Sequence, residues 1–140
     1  MRNSELRQTY CRELNLTRRE NFMRFSMNNI ILEKTKAFAV RIINLYKILR
    51  YDNKEFVLSK QVLRSGTSIG ANTREAMRGQ SKADFYSKLN IALKEADETA
   101  YWLELLYETD FITKTQFDSI YNDCQELISL LVAITKKQYK

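Results

Sequence analysis

Four runs of apolar and small residues recur at helical spacing along this chain. The two clearest meet at a tight turn, Arg78-Gly79-Gln80-Ser81. Before it, Leu58, Val62, Ser65, Ile69, Asn72 and Ala76 share one narrow helix face. After it, Phe85, Leu89, Ala92, Ala96, Thr99, Leu103 and Leu106 do the same. An earlier run, Ile31, Phe38, Ile42, Leu45 and Leu49, marks the buried side of a first helix. The last run is Phe117, Ile120, Tyr121, Cys124, Leu127, Ile128, Leu131 and Ile134.

The breaks between the runs carry helix-end chemistry. Gly79 suits the left-handed conformation that closes a helix. Ser81 with Asp84 resembles a capping box, and Thr113 with Gln116 forms another. Asn53 or Ser59 is expected to cap the second helix. Lys136, Lys137 and Lys140 suit the C-terminal end of the last helix, where its dipole favours cations. The expectation is an all-α fold, an antiparallel up-down-up-down four-helix bundle, with helices near residues 29–50, 57–79, 81–109 and 113–137.

Composition agrees. A chain of 140 residues is one domain's length. It has no proline and three glycines, fewer than strands and their turns usually need. Its two cysteines, Cys11 and Cys124, form no spacing motif, which points to reduced thiols in a cytoplasmic protein. No apolar run approaches a membrane span. The net charge of +6 is uneven: residues 54–94 carry +5 and residues 95–126 carry −8. Such a split describes either solvated helix faces or a molecule with one basic surface.

Candidate chemistry is sparse. The absence of histidine removes histidine general bases and the usual zinc and di-iron helix sites. No metal or other cofactor is expected, and the chain reads as no enzyme. Glu95 and Glu98 lie one turn apart on helix three, without a second such pair. With Asn72 they are expected to form polar structure at the core, Asn72 fixing helix register. On helix two, Lys60, Arg64, Arg74 and Arg78 fall within roughly an 80° arc opposite the core stripe. Lys82 follows at the turn. These five are the candidate phosphate-contacting residues. Leu63, Gly66, Gly70 and Met77 form a second small and apolar side of helix two. Ile91, Trp102 and Leu105 form one on helix three. Either these seven contact helices of the same bundle or they meet a neighbouring subunit in a ring.

The central stretch also carries a family resemblance. Its segments are Ser65-Gly66-Thr67-Ser68-Ile69-Gly70-Ala71-Asn72, Arg74-Glu75-Ala76, Ser81-Lys82-Ala83-Asp84-Phe85, Ile91 to Thr99 and Tyr101-Trp102-Leu103. Together they resemble the four helix bundle protein family. That family includes the bacterial 23S rRNA intervening sequence proteins and the accessory variability determinant of diversity-generating retroelements. The resemblance runs from about residue 27 to the C-terminus. It implies RNA or DNA as partner, alongside a reverse transcriptase or other nucleoprotein. It also implies a homo-oligomer, a pentamer by similarity to the retroelement accessory protein. The expected function is therefore a non-enzymatic, oligomeric accessory factor that binds nucleic acid or nucleoprotein through helix two. The alternative is a protein-only structural or regulatory interaction module. Residues 1–28, rich in Arg and Asn, are expected to be a disordered extension. They read as an over-extended gene start in preference to a basic arm.

Overall fold

A computed structural model describes residues 17–139 of the chain, and among them there are four long helices and no strand. Helix α1 spans Arg18–Lys47, α2 Leu58–Ala76, α3 Lys82–Glu108 and α4 Lys114–Thr135. A π-helical turn, Ile48–Asp52, prolongs α1, and a 3-10 turn, Lys136–Tyr139, prolongs α4. Successive helices run antiparallel. The packing is closest between α2 and α3, and α1 lies much more closely on α2 than on α4.

The stripe of α3 is realised in full: Phe85, Leu89, Ala92, Ala96, Thr99, Leu103 and Leu106 are all buried. In α1, Ile31, Phe38 and Ile42 are buried, as is Leu49 in the π-helical turn that follows, with Leu45 packed against them. On α2 the buried line is Ser59, Val62, Ser65, Gly66, Ile69, Thr73 and Ala76. Asn72 therefore is not the core polar residue; its neighbour Thr73 is. The Asn72 amide donates to the Ser68 carbonyl of its own helix at 2.8 Å. Satisfied locally, it fixes no register with another helix. The hydroxyl of Thr73 likewise returns to the Ile69 carbonyl at 2.8 Å. A polar contact between side chains that does cross the core joins Ser65 to Thr99, at 2.8 Å.

Helix ends depart from expectation in three places. First, α1 starts at Arg18, eleven residues before the apolar stripe suggested. Thr17 and Glu20 form a full capping box, with Thr17 Oγ1 accepting from Glu20 N at 3.2 Å and Glu20 accepting from Thr17 N at 2.8 Å. Residues 18–28 are thus helix rather than disordered extension, whereas residues 1–16 lie outside the described residues. Second, neither Asn53 nor Ser59 caps α2. The Glu55 carboxylate does, accepting from the amides of Val57, Leu58 and Ser59 at 3.0, 2.9 and 2.6 Å. Burial opposes ionisation of Glu55, but these amides outweigh it and hold its pKa below the usual carboxylate value. Third, Gly79 is not left-handed; positive φ falls on Lys54 and Asp110. Gly79 is needed for closeness instead, since a Cβ there would lie 3.1 Å from both the Ala76 oxygen and the Phe85 nitrogen. The expected box at Thr113 forms, whereas at Ser81 only half of one does, its hydroxyl accepting from Asp84 N at 3.0 Å. Asp84 accepts from Gln80 N, one residue before the cap, and Gln116 closes its box on Thr113.

Candidate nucleic-acid interface

An antiparallel four-helix chain places the start of α1, the end of α2, the start of α3 and the end of α4 at one end of the bundle. Four contacts bind that end together. The Arg24 guanidinium stacks over the Phe85 ring, 4.2 Å from its centroid. Lys137 Nζ lies 3.4 Å from the Met27 sulfur. Asn90 donates to Gln138 at 3.1 Å, and Lys88 pairs with Glu75 at 3.1 Å.

Exposed cations gather there: Arg18 and Arg19 from α1, Arg74 and Arg78 from α2 and its turn, Lys82 from α3, and Lys136 and Lys137 after α4. The carboxylates among them are already engaged. Glu20 closes the α1 cap, Glu75 meets Lys88, and Asp84 accepts from the Gln80 amide. Glu20 is held below its usual pKa by the Thr17 backbone and hydroxyl bonds, so it stays ionised in that cap.

Of the five sequence candidates, Arg74, Arg78 and Lys82 come together at this end, all exposed. Lys60 is exposed near the start of α2, at the opposite end of a helix ~28 Å long. Arg64 is diverted. Its guanidinium spans Glu95, at 3.3 Å, and Glu98 of α3. The Trp102 indole donates to the same Glu98 oxygen at 3.1 Å. Arg64 holds Glu98 below the usual carboxylate range, and Glu98 in turn raises the Arg64 pKa. Glu95 and Glu98 are half-buried partners of a surface cation, not members of the core. The sequence reading missed Arg18, Arg19, Lys136 and Lys137 as members of one cluster. Helix parity could have found them, because it fixes which termini share an end.

The expected interface residues divide in the same way. A Cβ on Gly66 would lie 2.7 Å from Ile42 Cγ1, and one on Gly70 would lie 3.4 Å from the Thr35 oxygen. Both glycines thus face α1 of their own chain, which fills the space a second subunit would need. Leu63, Met77 and Trp102 also lean on the chain's own core. Ile91 is exposed and Leu105 half-buried on the outer side of α3.

Little else offers chemistry. Among the described residues, no group of three or more His, Cys, Asp or Glu side chains could hold a metal ion. A cleft of about 220 Å³ between α1 and the start of α4 has Leu45, Ile48, Ile112 and Ile120 in its wall. Two of the polar groups at its edge are committed: Arg41 to Asp123 at 2.6 Å, and Gln116 to its cap. No described helix is long and apolar enough to cross a membrane.

The fold and this charge arrangement define a small helical-bundle protein with one basic end. The chain belongs to the family described as 23S rRNA-intervening sequence protein, which it matches over residues 27–133. It is similar to a solved protein of unknown function from the S23 ribosomal protein family of Bacteroides thetaiotaomicron VPI-5482. The two are 61% identical with a TM-score of 0.78, over 79% of this chain and 98% of the other. No curated protein matches it.

Proposed function

We propose that this protein is a non-catalytic nucleic-acid-binding factor whose phosphate-contacting surface is the basic end of the bundle. One observation carries the reading. Arg18, Arg19, Arg74, Arg78, Lys82, Lys136 and Lys137 are exposed at one end, while the nearby Glu20, Glu75 and Asp84 are already bonded. Like charges brought together on a folded surface repel one another, and an anionic partner relieves that repulsion. No base-reading element accompanies the cluster, so contacts to phosphates carry little sequence preference. The family's name, taken from intervening sequences of 23S rRNA, agrees with an RNA or nucleoprotein partner. In a homo-oligomer, a pentamer by resemblance, each subunit would repeat the basic end, and several weak contacts would act together on one strand. Ile91 and Leu105, on the outer side of α3, remain the candidate residues for that assembly.

Fluorescence anisotropy with short RNA and DNA strands at low salt tests this. Wild type binds both, and the Arg74→Glu, Arg78→Glu double variant loses most of the affinity with its helical circular dichroism unchanged. Wild type that binds neither strand returns the protein to the protein-only interaction reading.

A further inference from the structure

The connection between α1 and α2 is built unlike the other two. It shows Ile48, Tyr51, Phe56 and Val57 to solvent within ten residues, with Tyr51 61%, Phe56 48% and Val57 69% exposed. The backbone beneath is well held. Asn53 N donates to the Ile48 oxygen at 3.1 Å, Glu55 N donates to the Leu49 oxygen at 2.9 Å, and the Glu55 carboxylate ties the start of α2. Between the rings stands a cation: the Arg50 guanidinium lies 5.9 Å from the Tyr51 centroid and 5.1 Å from that of Phe56. Lys47, Lys54 and Lys60 are exposed around it. The acidic residues of the segment are Asp52, which is exposed, and Glu55, whose carboxylate is spent on three amides.

From this we infer that the Arg50, Tyr51 and Phe56 cluster is a stacking platform for the unpaired bases of a single strand. This rests on the nucleic-acid reading above and names its substrate class. Exposed aromatic faces with interleaved cations match a base and its flanking phosphates, since every base offers a π-face. An apolar protein surface would have to strip water from four cations to cover the same rings. Placement agrees. Lys60 begins the exposed side of α2 whose far end carries Arg74 and Arg78. A strand lying along α2 covers ~28 Å, within the ~4–16 nucleotides of a single-strand site. Phosphates would then be held at the basic end and bases at this one.

Three probes test it: an oligothymidylate strand, the same strand with abasic sites, and inorganic polyphosphate. Wild type prefers the base-bearing strand, and the Tyr51→Ala, Phe56→Ala double variant loses roughly tenfold for each stacked base. The variant keeps its affinity for polyphosphate and for the abasic strand. Tyr51→Trp, which keeps a stacking face, binds the base-bearing strand as wild type does. Equal affinity of wild type for intact and abasic strands overturns the inference and leaves the phosphate reading standing. So does a double variant that binds every probe as wild type does. A double variant that forms a smaller assembly in native mass spectrometry, with strand binding intact, assigns the cluster to a contact between copies and also overturns it. Wild type that binds none of the probes removes both readings together.

Discussion

Ser65 and Thr99 place their hydroxyl oxygens 2.8 Å apart between α2 and α3, at positions with no solvent exposure. The pair is unequal. Thr99 has a second partner, the Glu95 carbonyl at 2.7 Å, whereas Ser65 reaches the Val62 carbonyl only at 3.5 Å. Ser65 therefore depends on Thr99 more than Thr99 depends on Ser65. Thr99→Val should cost about 1–3 kcal/mol, because it strands a buried hydroxyl. Ser65→Ala should cost about 1 kcal/mol or less, and the double change less than the two singles added. Urea unfolding of the four proteins measures this. Equal costs for the two single changes would show that the Glu95 carbonyl gives Thr99 no advantage.

The two glycines of α2 should respond differently to alanine. At Gly66 a Cβ would meet Ile42 at 2.7 and 2.8 Å, in a side chain with no exposed surface. Gly66→Ala should destabilise by about 1–3 kcal/mol through overpacking, and it should cost less in an Ile42→Ala background, which lacks both contacting γ carbons. At Gly70 the nearest atom would be 3.4 Å away, so the helical preference of alanine, up to ~1 kcal/mol, offsets the tight contact. Gly70→Ala should be near neutral in thermal unfolding. If both positions tolerate alanine equally, α1 does not sit against α2 as described.

The Arg64–Glu98 pair gives stability a pH dependence of known sign. Glu98 has its pKa lowered, first by the Arg64 hydrogen bond and also by the Trp102 indole, against the opposing effect of burial. The unfolded chain then binds the extra proton as pH drops below the ordinary value of 4.5. The stability this group contributes is present above that value and is lost as pH falls through the depressed one. Melting temperature measured from neutral to acidic pH should fall less steeply in Glu98→Gln than in wild type. Trp102 is the single tryptophan, so its emission should report the loss of Glu98 locally. An unchanged acid limb in the variant would mean that the pair is solvated away.

Cys124 should be chemically silent in the folded protein. Burial pushes its thiol up to about 12, and its Sγ lies 3.4 Å from the Ala96 oxygen. The thiolate is the reactive species, so a disulfide reagent should react at neutral pH only after unfolding. In a Cys11→Ser background the labelling rate should follow denaturant in step with circular dichroism. Rapid labelling in buffer would show that the core around Cys124 opens.

Periodicity revealed what lies inside the bundle but not what lies across it. The α3 stripe was legible residue by residue because apolar side chains repeat there without interruption. Spacing alone puts Asn72 in the core because it and Thr73 are adjacent polar residues, of which Thr73 lies on the buried α2 face and Asn72 at its edge. The start of α1 was missed because residues 18–28 carry no core stripe; the Thr17–Glu20 box was its only strong signal. Helix spacing puts Arg64 on an exposed arc, whereas its partners Glu95 and Glu98 depend on the register between α2 and α3. That register is set by turn geometry, which helix spacing does not encode. The gathering of Arg18 and Arg19 with Lys136 and Lys137 is a property of topology, since over a hundred residues separate them in the chain.

The most direct test of the basic end is the salt dependence of single-strand binding. Each phosphate neutralised contributes about 0.7 to the slope of log affinity against log salt. Arg74→Glu with Arg78→Glu should therefore reduce the magnitude of that slope by about 1.4 or more. Arg64→Gln, whose charge is already committed to Glu95 and Glu98, should leave it close to wild type. A double variant with the wild-type slope, or a larger loss in Arg64→Gln than in the double variant, would contradict the assignment of phosphate contacts to this end of the bundle.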